Sequence, residues 1–141
     1  MSALQHEQVL EFKLGEDRYC VDIGYVAEIV DIGSLTAVPN APEYVEGVMD
    51  LRGRTTSIID PKVLFDIEDE TDPRHIVVFD PEYVGDGGAV GWLVDEVDQV
   101  IKAPEEDLDD APVEEESGIK GVLKRDEEFA VWVEPTLVET E

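Results

Sequence analysis

Apolar and polar residues alternate along most of this chain, which is the period of β-strands rather than of helices. Leu10, Phe12 and Leu14 alternate with Glu11 and Lys13, a Gly15-Glu16-Asp17 turn signal follows, and Tyr19, Val21 and Ile23 alternate with Cys20 and Asp22. Two such runs around a short glycine-containing loop predict a β-hairpin. Residues 25–30 are ambiguous, because Tyr25, Val26, Ile29 and Val30 suit one helical turn while Ile29 to Ile32 suit the opening of a strand. Pro39 and Pro42 break the chain into a loop, and Val45-Glu46-Gly47-Val48-Met49-Asp50-Leu51 resumes the strand pattern. Arg52-Gly53-Arg54 reads as a tight turn, and residues 55–60 form a β-branched, apolar run that Pro61 stops. Val63, Leu64 and Phe65 suit a short helical turn plugging a barrel end, and the polar, acidic residues 66–74 are the best candidate for a link between lobes.

The second half continues in the same style. Residues 75–80 read as a strand, residues 83–88 are glycine-rich and turn, Val90, Trp92 and Val94 alternate with Gly91, Leu93 and Asp95, and residues 97–101 continue as strand. Residues 105–116 carry eight acids in twelve positions plus Pro112, the composition of a mobile solvated loop. Residues 119–123 and 129–133 are the last strands, separated by a Lys124-Arg125-Asp126-Glu127 turn. Each half holds roughly five short strands, and the runs at 26–30 and 94–100 share a Val-x-acid-x-aliphatic character that hints at duplication. Short strands without strand–helix alternation argue for an all-β protein of two small barrels, with lobes near 8–65 and 75–134, rather than a βαβ sheet.

Composition narrows the function. With 141 residues, 43% of them hydrophobic, the chain is long enough for one domain or two lobes sharing a core. No apolar run approaches the roughly 20 residues of a membrane span, so no membrane insertion is expected. The first residues have neither a basic nor an apolar leader segment, and Cys20 is the single cysteine, so a reducing cytoplasmic location without disulfides is expected. The 36 acids against 10 bases give a net charge of −26, a field that opposes nucleic acid and anionic membranes as partners. The acids are spread along the whole chain, which favours solubilisation in concentrated salt, and a halophilic source, over a localised acidic binding surface. At 1 M salt the Debye length is about 3 Å, which screens the self-repulsion.

A search for catalytic chemistry finds no set. His6 lies in the leading segment, His75 opens an apolar strand, and Cys20 has no nearby His or Lys in sequence to activate it. Gly85-Asp86-Gly87-Gly88 is too short for a phosphate loop, and Asp107, Asp109 and Asp110 lack the Gly and closing Glu of a calcium loop. No catalytic residue, metal ligand or cofactor is therefore expected.

Specific pieces of the chain do carry a signal. These are Val9-Leu10-Glu11-Phe12-Lys13-Leu14-Gly15, Tyr19-Cys20-Val21-Asp22-Ile23, Val26-Ala27-Glu28-Ile29 and Val38-Pro39-Asn40-Ala41-Pro42. Val45-Glu46-Gly47-Val48-Met49-Asp50-Leu51-Arg52-Gly53, Ile58-Ile59-Asp60, Val90-Gly91-Trp92-Leu93-Val94-Asp95-Glu96-Val97 and Ile119-Lys120-Gly121-Val122 complete the set. Together they resemble the CheW family over nearly the full length, and the run from Pro39 to Gly53 is the most specific part.

The resemblance implies two SH3-like five-stranded β-barrel subdomains with short helical turns, packed around a shared apolar seam. It implies a non-catalytic adaptor that joins methyl-accepting chemotaxis receptors to a CheA-type histidine kinase. It places the receptor's helical tip in the groove between the barrels, at Val26, Glu28, Ile29, Arg52, Val94 and Val97. It places the kinase at Tyr44, Val45, Gly47 and Val48. Arg52, one of few bases and at a turn, is either a solvated turn charge or a planar fork that clamps a carboxylate such as Glu28. Simple core packing is the competing role for Val26 and Ile29, and equally for Tyr44, Val45 and Val48. Two other functions stay open: a CheW-like scaffold serving a different sensory kinase, and a small β-barrel ligand-binding protein, which needs an apolar pocket with converging polar groups.

Overall fold

The computed structural model describes residues 8–84, 88–103, 107–110, 118–125 and 128–135. Its strands are β1 (Gln8–Leu14), β2 (Asp17–Asp22), β3 (Val26–Asp31), β4 (Val45–Leu51), β5 (Arg54–Ile59), β6 (His75–Phe79), β7 (Ala89–Val94), β8 (Glu96–Lys102), β9 (Leu108–Asp109), β10 (Ile119–Arg125) and β11 (Glu128–Val133). A 3-10 turn at Ile23–Tyr25 and a one-turn helix, α1 (Pro61–Leu64), complete the order. The ambiguous segment therefore resolves into a turn followed by a strand: Asp22 caps the turn by accepting from the Gly24 amide at 2.8 Å. Asp60 caps α1 through the Lys62 amide at 3.0 Å, with Pro61 at a position where a missing N–H costs nothing.

The strands form two sheets, one in the order β8-β1-β2-β11-β10-β9 and the other β3-β6-β7-β5-β4. The expected all-β architecture of two subdomains is present as two sheets, and the first has six strands because Leu108–Asp109, inside the expected acidic loop, pairs with β10. The sheets also do not follow the contiguous lobes 8–65 and 75–134. The first hairpin, β1–β2, joins β8 and β11, and the second sheet runs without interruption from β3 to β7. Residues 105–106 and 111–116 of the acidic loop, the turn at 126–127 and the segment after Pro135 lie outside the described residues.

Both sheets follow one plan. An edge strand runs antiparallel to a hairpin, and that hairpin meets a second one through a single parallel pair, β2–β11 in one sheet and β5–β7 in the other. This makes β3 the counterpart of β8, and β4–β5 the counterpart of β10–β11. Details match as well. The ladder skips Ala27 between the Val26–Phe79 and Glu28–Val78 pairs, and skips Asp98 between Val97–Phe12 and Gln99–Glu11. A second pair of bulges ends in Gly47 and Gly121. A Cβ at Gly47 would collide with the Thr36 carbonyl, and one at Gly121 with the Asp109 carbonyl. The duplicated character of runs 26–30 and 94–100 is thus the sequence trace of two equivalent edge strands, with the N-terminal hairpin completing the second unit.

Three apolar clusters hold the units. Val9, Cys20, Leu123, Ala130 and Trp132 fill one face of the six-stranded sheet, and Met49, Ile58, Ile76, Val78 and Leu93 fill one face of the five-stranded sheet. Between the sheets lies the largest cluster, with Leu10, Phe12, Leu14, Tyr19 and Val21 from one side and Ile59, Val77, Phe79, Trp92 and Val94 from the other. Phe65, just after α1, stacks on Tyr19 and meets Trp92 edge-on at 5.7 Å, so the residue that follows the short helix packs into this seam. Strand β7 is buried at every position because it faces a cluster on each side.

One ion pair is sunk beside this seam. The Lys62 ammonium lies 2.8 Å from Asp95 Oδ2 and 3.0 Å from Asp69 Oδ1, and donates to the Thr71 carbonyl at 2.8 Å. Burial alone would lower the Lys62 pKa, but the hydrogen bonds and charges of Asp95 and Asp69 outweigh it and hold the pKa above its ordinary value. Asp69 is held down to about 2, first by Thr71 and then by Lys62.

Candidate functional site

The β4–β5 turn builds the first half of the site. Arg52 has φ 55° and Gly53 φ 80°, positive at both central positions, which is the two-residue turn whose twist matches a hairpin. Gly53 adopts this freely, whereas Arg52 does so against the steric preference of a side-chain-bearing residue. The turn lifts Arg52 to the sheet end, where it is 77% exposed.

The bulge at Ala27 builds the second half. Directly paired residues on neighbouring strands point to the same face. Val26 pairs with Phe79 and faces the shared seam, but the skipped residue turns Glu28 to the opposite face with Val78, and returns Ile29 to the seam face with Val77. Glu28 thereby meets the turn: Arg52 Nη1 donates to both carboxylate oxygens, at 2.7 and 2.8 Å. Without the bulge, Glu28 would share the face of Val26 and the two would not meet.

Beside this clamp lies an open cavity of about 250 Å³, lined by Leu51, Arg54, Val78, Phe79, Pro81 and Ala89 together with the pair itself. It is smaller than the roughly 300–1,000 Å³ of ordinary small-molecule pockets and is open to solvent at one side. Among the described residues no group of three or more His, Cys, Asp and Glu is placed to hold a metal ion. No helix among the described residues is long and apolar enough to cross a membrane.

The expected groove residues separate into two kinds. Glu28 and Arg52 are brought together, and Ile29 stands 41% exposed on the seam face. Val26 and Val97 are partly buried against the shared cluster, and Val94 is 0% exposed within it. Val94 thus forms the floor of the seam and offers no surface of its own, because a central strand between two sheets has no free face. Of the four residues expected to meet a kinase, Tyr44 and Val45 are half-buried against the seam cluster. Gly47 is buried under Thr36, and Val48 exchanges backbone hydrogen bonds with Thr36 at 3.0 and 2.9 Å.

Sequence reasoning missed Val100 and Phe129, which are 47% and 58% exposed. Val100 pairs with Leu10, a member of the seam cluster, so it faces the seam as Ile29 does, three residues beyond its own bulge-flanking valine. The signal was present in the faint repeat: aligning Val26 with Val97 superimposes Ile29 on Val100. Cys20 is a packed residue with no reactive character, and burial followed by the Glu11 charge pushes its thiol up to about 12.

Comparison with known proteins agrees with this architecture. The family of CheW-like domains matches residues 8–139. The chemotaxis protein CheW of Thermotoga maritima is 30% identical over 135 residues, covering 94% of this chain and 87% of that protein. The CheW of Bacillus subtilis is 32% identical over 111 residues, covering 75% of this chain and 67% of its own length. The crystal structure of the scaffolding protein TtCheW from Thermoanaerobacter tengcongensis superimposes with a TM-score of 0.82 at 29% identity, over 94% of this chain and 87% of that one. The family match over residues 8–139 and the superposition at a TM-score of 0.82 agree, and the chain belongs to the family of CheW-like domains.

Proposed function

We propose that this chemotaxis adaptor of the CheW type couples methyl-accepting receptors to a CheA-type histidine kinase in the cytoplasm, binding both and altering no covalent bond in either. The observation that carries the reading is the Glu28–Arg52 clamp standing beside the exposed Ile29 on an edge strand of the seam. An exposed ion pair of this kind contributes only about 0–1 kcal/mol to stability. Its fixed geometry suits recognition, because a partner carboxylate can share the guanidinium fork.

In this reading a receptor's helical tip lies along the seam with Ile29 and Val100 as apolar contacts, and its polar groups reach Glu28 and Arg52 around the β3 edge, on the opposite face of that strand. Val26 and Val97 shape the wall and Val94 the floor. The kinase meets the half-buried Tyr44 and Val45 and the backbone around Gly47 and Val48. The acidic surface keeps the chain dispersed in concentrated salt, consistent with a halophilic source.

Reconstitution from purified components in concentrated salt tests the reading. The chain should form a ternary complex with a receptor cytoplasmic fragment and a CheA-type kinase, and kinase autophosphorylation should then respond to receptor state. Absence of binding to either component would sink it.

A further inference from the structure

We propose that Lys62 and Asp95 form a latch that holds the two sheets in one mutual orientation and so positions the seam face offered to a partner. Asp95 is the single residue between β7 of the five-stranded sheet and β8 of the six-stranded sheet. A one-residue crossing is a hinge, and its backbone angle decides how the sheets meet. Its hydrogen bonds and its ion pair tie that hinge to both sheets. Its amide donates to the Lys13 carbonyl at 3.0 Å, and its Oδ2 accepts the Gly15 amide at 2.5 Å, both in the first hairpin of the six-stranded sheet. The same oxygen meets Lys62 at 2.8 Å, from the helix that follows β5 in the other sheet. Lys62 has three ammonium protons and three acceptors, in Asp95, Asp69 and the Thr71 carbonyl, so it has no spare direction to swing.

The pair is an expensive way to fill this space. Both side chains are at least nine-tenths buried, and Asp95 Oδ1 has no hydrogen-bond partner among the described residues. A buried acceptor left without a donor subtracts from stability, and apolar side chains of similar volume would fill the site without that cost. What they would not supply is direction: apolar surfaces slide over one another, whereas a hydrogen-bonded ion pair permits one geometry. Strand β8, which starts at the latch, carries Val100, and β3, which starts at the other crossing between the sheets, carries Ile29. The angle at Asp95 therefore sets the spacing of the two exposed apolar residues. This last link rests on the adaptor reading, but the latch itself does not.

Spin labels on Ile29→Cys and Val100→Cys report the spacing directly, since the native Cys20 is buried. The otherwise native chain should give one narrow distance distribution in concentrated salt. Lys62→Met or Asp95→Asn should broaden it, and Lys62→Arg, which keeps charge and donors, should restore it. Amides of Gly15 and Asp95 should exchange about tenfold faster in the first two variants, with the ladders of β2 and β7 unchanged. Receptor-fragment affinity should fall about tenfold in parallel. A narrow, unshifted distribution in Lys62→Met and Asp95→Asn overturns the latch, as does an exchange increase spread evenly over both sheets. Should neither variant fold, Asp95→Glu, one methylene longer, must shift the distance or the proposal fails. A parent protein that binds no receptor fragment would remove the adaptor reading while leaving the latch standing on its distances.

Discussion

Arg52 and Glu28 lie 24 positions apart, and one terminal nitrogen of the arginine bridges both oxygens of the carboxylate at 2.7 and 2.8 Å. Arg52 also holds a positive φ of 55°. Replacing it separates stability from function. Arg52→Ala should cost less than about 1 kcal/mol from the lost exposed pair. Arg52→Gly should fold at least as well as the parent, because a left-handed residue without Cβ avoids a steric cost of roughly 1–2 kcal/mol. Both variants should lose receptor coupling. Denaturant titration in concentrated salt, paired with receptor-fragment binding, checks the two halves of this expectation.

Ile29 and Val94 were expected to share one role, and their environments part them. Ile29→Asp places a charge on an exposed edge strand, so the fold should survive while receptor binding is lost. Val94→Asp buries an unpaired carboxylate in the seam and should cost about 4 kcal/mol or more. Circular dichroism and the binding assay together give the answer; equal unfolding by both substitutions would show that Ile29 is core.

Two glycines differ in why they are glycine. Gly47→Ala forces a methyl group into the Thr36 carbonyl, backbone that cannot swing away, and should destabilise by about 2 kcal/mol or more. Gly53→Ala meets nothing within 4 Å and has only the conformational cost of φ 80°, about 1–2 kcal/mol. The gap between their unfolding midpoints tests the assignment.

Cys20 should be inert in the folded protein. Its thiol is buried and its pKa is raised from 9.0 to about 12, so at pH 8 a thiol reagent should react only as fast as the protein opens. The sign of the linked stability follows. The unfolded chain releases this proton near pH 9 and the folded chain near 12, so the contribution is fully present below pH 9 and is lost as pH rises from 9 towards 12. Cys20→Ala should flatten that alkaline fall.

The net charge of −26 should make stability depend on salt. Raising ionic strength from about 0.1 M to about 1 M shortens the Debye length from about 10 Å to about 3 Å and screens the repulsion among surface acids. The melting temperature should rise over that range. A flat or falling curve would separate the acidity from any stabilising role of salt.

Much of this was readable from the chain. Alternation at Leu10–Leu14 and Tyr19–Val21 gave the first hairpin, Arg52-Gly53 gave the turn, and the motif from Pro39 to Gly53 gave the family. The Arg52–Glu28 clamp was legible as chemistry, since an arginine fork at a turn of an acidic chain seeks a carboxylate. The bulge at Ala27 that makes the clamp possible was not, because an extra residue in a ladder leaves no mark in a two-residue period. Nor did the sequence mark Leu108–Asp109 as a strand, since two residues are too few to show alternation.

What the amino-acid pattern determined by itself is which residues seek burial and where the chain turns, because those depend on side chains a few positions apart. Tertiary structure alone decided which strands pair, sending β1 and β2 to β8 and β11 across most of the chain. It also decided that Val94 is floor while Ile29 and Val100 are surface, and that Lys62 reaches Asp95. Alternation says that one face of a strand is buried but is silent on what buries it, and that choice is made only when distant segments compete for the same seam.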